Sequence, residues 1–467
     1  MRLHRAVLGY AALVAVLGGA IVVSLIHGQG LEGGRVFSTA GVVAGRLRLP
    51  GASLGQLLLQ LIVVVAAARL CGALFRRLGQ PAVIGEIVAG ILLGPSLLGA
   101  VAPGTFRLLF PPESFGTLKL LAEIGVLLFM FVVGLELDVE RLRGRAHTAV
   151  FVSHASILVP YLLGVLLASA LYRSLAPPSV HFVPFALFMG IAMSITAFPV
   201  LARVLDERGL TRTELGSAAI TCAAVDDVTA WSLLALVVAI ARSQGFGGAL
   251  LTGALSLAFI AFMLFVAGPA LRRAFRGRAT GTPSTGVLAV VVVVLIASAL
   301  ATEQIGIHAL FGAFLAGVVM PREAAFRDAL VQRLEEVSSI LFLPLFFAFT
   351  GLRTQVGLLD DASSWLVLLL IVAAATAGKL GGTMAAALAT KMDAVDAFAL
   401  GALMNTRGLM ELIALNVGYE LGILSPRIFA MMVLMALVTT FATGPLLSLA
   451  GVLRRRRAAT AGEGSPA

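Results

Sequence analysis

The chain is a succession of long apolar runs divided by short charged or Pro/Gly-containing punctuation, and this pattern decides the fold class before any single residue is considered. A bilayer core takes about 20 apolar residues per helix. On that measure the runs number about fourteen, at 6–27, 53–75, 81–99, 117–137, 147–172, 183–205, 213–241, 248–271, 285–302, 305–320, 336–352, 363–390, 397–422 and 428–453. Only 12% of the 467 residues are charged, against about 25% in a soluble domain, so a water-soluble globular fold is excluded. The expected class is an all-α polytopic membrane protein with about 13–14 transmembrane helices. Fifty glycines fit that class, because small residues let helices approach closely in lipid. Cys71 and Cys222 lie far apart in apolar runs, which suits neither a disulfide framework nor a metal site. The formal charge of +10 belongs to basic loops beside helices rather than to a nucleic-acid surface, and no nucleic-acid partner is expected.

Lys and Arg also set the expected direction of the chain, since positive loops stay in the cytoplasm. With the N-terminus inside, the inside segments hold 21 of the 34 Lys and Arg, including Arg454 to Arg457, and the outside segments hold 9. Both termini are therefore expected in the cytoplasm of a multi-pass cell-membrane protein. Residues 1–52 form an extra helix or a signal segment with an external loop. A retained helix is the preferred reading, and cleavage would put the mature N-terminus outside. Residues 53–453 form the transmembrane domain and 454–467 a short basic cytoplasmic tail, with no nucleotide-binding regulatory domain attached.

Two stretches recur in opposite senses. Ala89-Gly90-Ile91-Leu92-Leu93-Gly94-Pro95 in the third run is echoed by Ala316-Gly317-Val318-Val319-Met320-Pro321 in the tenth. Ser194-Ile195-Thr196-Ala197-Phe198-Pro199 in the sixth run is matched by Asn405-Thr406-Arg407-Gly408 in the thirteenth. Each pair is an odd number of helices apart, so its members cross the membrane in opposite directions. A mid-helix proline removes a donor and clashes with the preceding turn, and interruptions at corresponding places of two inverted halves point to a midplane site. A kinked helix without a ligand is the plainer alternative.

The charges inside apolar runs weigh against that alternative. Asp226 and Asp227 lie in mid-helix, where each ionised carboxylate costs several kcal/mol, roughly 3 on insertion scales. Neighbours on a helix are about 100° apart, so the two carboxylates face different surroundings. Lys379, in the small-residue stretch Ala377-Gly378-Lys379-Leu380-Gly381-Gly382, is the expected partner of one aspartate, although a lone lysine can also snorkel to the interface. Arg407 and Glu411, four apart, are placed to satisfy each other. Arg203 and Asp206 read as a solvated helix end, Glu86 as a helix-start carboxylate and Glu123 as a pathway candidate.

Together, the segment from Gln80-Pro81-Ala82-Val83-Ile84-Gly85-Glu86 to Gly94-Pro95, Ile195-Thr196-Ala197-Phe198-Pro199, the pair Asp226-Asp227 and Asn405-Thr406-Arg407-Gly408-Leu409-Met410-Glu411-Leu412 resemble the second family of monovalent cation/proton antiporters. That family includes bacterial sodium/proton antiporters and plant cation/proton exchangers. The resemblance implies a core of two inverted bundles, with broken helices crossing at the ion site, that moves against a dimer-forming scaffold. By position it implies that Asp227 binds the cation and the proton, that Asp226 is the aspartate of electrogenic members, that Lys379 is its basic partner, and that Thr196 lies at the crossing with Phe198, Pro199, Asn405, Thr406, Arg407 and Glu411. A homodimer in lipid is implied, with no cofactor beyond the transported sodium or potassium and protons.

The residues support the same chemistry directly. A hard cation needs oxygen ligands to replace its water, which Asp227, the Thr196 hydroxyl and carbonyls freed at the breaks would supply. Burial favours a neutral carboxyl and a nearby ammonium favours the carboxylate, so one site placed between these influences is open to competition between protons and cations. The expectation is sodium exchanged for protons by alternating access, electrogenically, with lithium and potassium as alternatives. A potassium/proton antiporter of the same family and a cation channel are the competing readings. An intramembrane aspartyl protease is disfavoured, because its two aspartates must converge from different helices.

Overall fold

The computed structural model describes residues 54–136, 146–242, 246–275, 283–321 and 323–462. The expected run at 6–27, the whole of 1–52 and the last residues of the expected tail lie outside them. The regular structure of the described residues is all helical, and besides short helices at Leu98–Val101, Pro103–Leu109 and Gly268–Phe275 it comprises, in order, α1 (Leu54–Arg77), α2 (Ala82–Leu93), α3 (Phe115–Glu136), α4 (Ala146–Leu175), α5 (Phe182–Ser194), α6 (Phe198–Glu207), α7 (Glu214–Arg242), α8 (Phe246–Phe262), α9 (Thr285–Ile305), α10 (Ala309–Val319), α11 (Ala324–Val337), α12 (Leu343–Arg353), α13 (Ala362–Thr376), α14 (Gly382–Ala389), α15 (Ala394–Met404), α16 (Leu409–Glu420) and α17 (Pro426–Gly462). Eleven runs among the described residues are long and apolar enough to cross a membrane, and the bent pair α15 and α16 makes up to twelve. The expected run at 305–320 is only the 11-residue α10. At about 1.5 Å per residue it is too short to span alone, because Gly306, with φ of 98°, ends α9 and uses up the start of that run. Within the expected tail, α17 continues through Gly462. The arginines there extend the helix, and Arg457 pairs with Asp393 at 2.8 Å, beside a pair of Arg454 with Asp396.

Two packed groups emerge, and each is built from matching parts of the two halves. In the first, α2 lies on α1 and α12 while α10 lies on α9 and α3. The contacts are equivalent: a Cβ on Gly90 of α2 would strike the Ala348 carbonyl and one on Gly351 of α12 the Ile87 carbonyl, while Gly317 of α10 meets the Phe131 carbonyl and Gly134 of α3 the Phe314 carbonyl. Backbones touch at both crossings, which only glycine permits. In the second group α4 packs on α5 and α7, and correspondingly α14 packs on α15 and α13 on α17. The groups meet where α12 touches α16 and α2 touches α17, and where Trp231 of α7 stacks on Phe314 of α10 with centroids 6.4 Å apart.

Burial follows this division. The span containing α5 and α6 is 83% buried, whereas α1 is 22% buried and presents Leu54, Leu58, Ile62 and Leu70 outward, which suits lipid or another protein surface. Arg69 on α1, an intramembrane charge, donates to the carbonyls of Ser339 and Ile340 at 2.9 and 3.0 Å. Those carbonyls belong to a π-helical turn at Ser338–Phe342, where the α-helical hydrogen-bond pattern is interrupted. At the start of α13, the hydroxyls of Ser363 and Ser364 hold the Asp361 carboxyl down to about 2, and the Asp361 side chain accepts the Ser364 N–H as an N-cap.

Candidate functional site

Two helices are interrupted where they cross. α5 ends at Ser194 and α6 begins at Phe198, with Ile195 and Ala197 extended. Pro199 has no N–H and stands in the first turn of α6, the place where a helix tolerates it. α15 stops at Met404 and α16 resumes at Leu409, bent by 43°. The breaks are bonded to each other: the Ala197 N–H donates to the Thr406 carbonyl at 3.0 Å and the Thr196 hydroxyl to the Met404 carbonyl at 2.9 Å. Thr440 of α17 closes the second break, accepting the Arg407 N–H and donating to its carbonyl, each at 2.9 Å.

A half-helix that ends inside protein leaves carbonyls without partners and the negative end of its dipole unbalanced. At the end of α5 two cations fill this need. Arg407 donates to Ala192 O at 2.8 Å and Met193 O at 2.6 Å, and Lys379 donates to Ser194 O. At the first break the carbonyls of Ala192, Met193 and Ser194 are therefore hydrogen-bonded by guanidinium and ammonium groups.

Lys379 and Asp226 are brought together. Both are fully buried, and Lys379 Nζ lies 3.1 Å from Asp226 Oδ2. The ammonium's other donations go to Ser194 O and to Ser156 O at 3.1 Å, which matches its three protons to three acceptors. The lysine sits in a π-helical turn, Ala377–Gly381, where Gly378 and Gly382 let this helix lie against Pro160 and Val159 of α4. Asp226 Oδ2 also accepts the Thr196 N–H at 3.0 Å, so this carboxylate ties α7 to both α5 and α13.

Asp227 is placed differently. It is 5% exposed, and its Oδ1, like the Oδ1 of Asp226, has no hydrogen-bond partner among the described residues, but no ammonium or backbone N–H among them meets its other oxygen. It lines a cavity of about 750 Å³ with Phe198, Pro199, Phe314 and Val132, and Glu136, Glu335 and Thr211 stand on the wall of the same cavity. The angular separation of neighbouring helical residues thus sends one aspartate into the protein and the other to an aqueous-sized space. Of the remaining predicted residues, Arg407 and Glu411 form a buried ion pair at 3.5 Å, and the Glu411 carboxylate makes no hydrogen bond among the described residues. Asn405 is fully buried and neither amide atom has a partner among the described residues. Thr406 serves through its carbonyl, which accepts from Ala197.

Sequence reasoning did not find Ser156, Ser194 or Thr440. The first two act through backbone oxygens, which no residue type signals, and Thr440 is one polar residue in a long apolar helix. The arrangement can hold a small cation at Asp227 with oxygen ligands, or a proton in its place. Among the described residues no group of three His, Cys, Asp or Glu side chains is arranged for a metal ion.

Residues 64–451 match the family model described as sodium/hydrogen exchanger, transmembrane. The chain is 44% identical over 393 residues to the Na(+)/H(+) antiporter NhaS4 of Synechocystis sp., covering 84% of this chain and 96% of that one. It is 44% identical to Cation/H(+) antiporter 17 of Arabidopsis thaliana and 33% identical to K(+)/H(+) antiporter 1 of Saccharomyces cerevisiae, covering 85% and 84% of this chain. It spans only 48% and 46% of those two relatives. Its fold matches the solved sodium proton antiporter MjNhaP1 from Methanocaldococcus jannaschii with a TM-score of 0.61 at 14% identity, over 85% of this chain and 98% of that one.

Proposed function

Since the chain belongs to the sodium/hydrogen exchanger transmembrane family and is a cation/proton antiporter, a multi-pass membrane transporter rather than an enzyme, we propose that it exchanges sodium for protons at Asp227 by alternating access. The observation that carries this reading is the difference between the paired aspartates: Asp226 Oδ2 is occupied by Lys379 and Thr196, whereas Asp227 lines the cavity and has no ion-pair partner among the described residues. A carboxylate that a sodium ion occupies cannot hold a proton, so each expels the other. The Thr196 hydroxyl donates its hydrogen bond to Met404 O and keeps lone pairs for a cation, and the Asn405 amide oxygen is unengaged among the described residues at the crossing.

In this reading the Lys/Arg distribution makes the face of the α3 end and the α6–α7 turn cytoplasmic, so the Asp227 cavity opens inward. The group of α4–α7 and α13–α17 moves as the transport bundle against α1–α3 and α9–α12. The outward leucines of α1 supply the surface for a homodimer in the cell membrane. With the Asp226 and Lys379 pair beside the site, more than one proton is exchanged for each cation and exchange is electrogenic.

Potassium is the second reading, favoured by the yeast relative whose name states K(+)/H(+) exchange. Cation-induced pH change in everted vesicles, run with sodium, lithium and potassium, separates the two. A response to sodium at lower concentration than to potassium supports the sodium reading, and a response to potassium alone replaces it. Insensitivity to an imposed voltage removes electrogenic exchange while leaving antiport in place.

A further inference from the structure

On the side of the protein opposite the Asp227 cavity, a second cavity of about 400 Å³ lies between the two packed groups, lined by Lys119, Glu303, His308, Leu310, Val417 and Glu420 among others. Its charges do not pair at random. Lys119 of α3 lies 3.3 Å from Glu420, the last residue of α16, and Arg353, the last residue of α12, lies 3.0 Å from the other Glu420 oxygen. Arg353 also donates to Asn416 Oδ1 at 3.1 Å and lies over the Phe349 ring at 4.3 Å. Arg242 of α7 meets Glu303 of α9 at 3.1 Å. In each of these pairs one partner belongs to α1–α3 or α9–α12 and the other to α4–α7 or α13–α17.

We infer that these ion pairs form a latch, with Glu420 at its centre, that holds the transport bundle against the scaffold on the outer side while the inner cavity is open. The inference rests on the alternating-access reading above, since a latch matters only if the groups move. Its physical basis is geometric. Glu420 terminates the half-helix whose N-terminus starts at the crossing, so a displacement of the bundle carries Glu420 with it and separates it from Lys119 and Arg353. Lys119 retains Glu123 of its own helix at 3.4 Å, and Arg353 retains the Phe349 ring of its own helix. Each scaffold cation thus has a partner that travels with it, whereas Glu420 loses two cations at once. Breaking the latch therefore leaves no bare cation on the scaffold, and Glu303, which loses Arg242, keeps the Ala309 N–H at 3.1 Å, which keeps the open state accessible. A permanent interface has no need of such substitute partners.

The test reads accessibility as well as flux. In a chain with Cys71 and Cys222 replaced by Ser, Ala202→Cys reports on the inner cavity and Leu310→Cys on the outer one, by labelling with a membrane-impermeant maleimide in inverted and right-side-out vesicles. Glu420→Gln should slow labelling at Ala202→Cys and speed it at Leu310→Cys, each by about five-fold, which is about 1 kcal/mol of relative stability. Lys119→Gln should move both rates in the same direction by less, and serves if Glu420→Gln does not fold. Unchanged rates at both positions in whichever variant folds overturn the latch. A cleavable bis-maleimide joining Leu310→Cys on the scaffold to Val417→Cys on the bundle separates that outcome from failure of alternating access. If transport continues while the groups are joined, the alternating-access reading fails. If joining stops transport and reduction restores it, while Glu420→Gln leaves both rates unchanged, only the latch falls.

Discussion

The two broken helices are related by the inverted repeat, yet their breaks are finished in opposite ways. The end of α5 is saturated: Arg407 and Lys379 supply three donors to Ala192, Met193 and Ser194, and Asp226 accepts the Thr196 N–H. The second break keeps its loop closed through Thr440, but among the described residues both amide atoms of Asn405 are without a partner and Glu411 makes no hydrogen bond. A buried polar group without a partner costs about 1–3 kcal/mol, so an unsatisfied amide beside a satisfied crossing marks where a ligand is expected. One break is a fixed anchor and the other carries the spare oxygen. Symmetry supplied the scaffold, and the departure from symmetry marks the proposed site.

The largest effect should come from Asp227→Asn. The substitution keeps the volume and removes a carboxylate with no ion-pair partner in hydrogen-bonding range, so the protein should fold and cation-driven proton flux in vesicles should fall to background. Next in size, Lys379→Ala leaves Asp226 buried with one backbone donor. Breaking a buried pair in this way costs about 3–5 kcal/mol, read as a lower unfolding temperature in detergent. The double variant Asp226→Asn with Lys379→Gln should regain most of that stability and retain cation/proton exchange with reduced sensitivity to voltage. Full stability in Lys379→Ala alone would break the anchor side of the comparison.

Arg407→Gln removes the donors from two carbonyls at the end of α5 and the partner of Glu411, and should cost about 2–3 kcal/mol, given about 1.5–3 kcal/mol for a charged hydrogen bond, with reduced flux. The smallest stability effect belongs to Asn405→Ala. It breaks no hydrogen bond and should change the unfolding temperature little, but it should raise the apparent KM for the cation. An unchanged KM would make the second break a packing feature and remove the functional contrast.

Much of this could be read from the chain itself. The apolar runs, the inverted echoes at Gly90 and Gly317, and the interruptions at Pro199 and Gly408 are carried by residue type and spacing, and the helices follow them. Lys379 was legible because a lysine amid glycines far from a helix end has few reasons to be there. What remained hidden depends on the third dimension. α10 is short because Gly306 ends α9, a backbone event that hydropathy does not register. The use of α5 carbonyls by Arg407 and Lys379 involves backbone atoms about 180 to 215 positions distant in sequence. Glu420, Lys119 and Arg353 look like ordinary helix-end charges until the two groups are assembled, because nothing in their spacing says that they face one another.

The central claim is that one carboxylate, Asp227, is shared between proton and cation. Proton release on adding sodium or potassium to the purified protein in weakly buffered detergent solution, near the pH where transport is half-maximal, tests it most directly. The account predicts release from the parent and from the Asp226→Asn, Lys379→Gln double variant, and none from Asp227→Asn. Release of the same size from Asp227→Asn would contradict it.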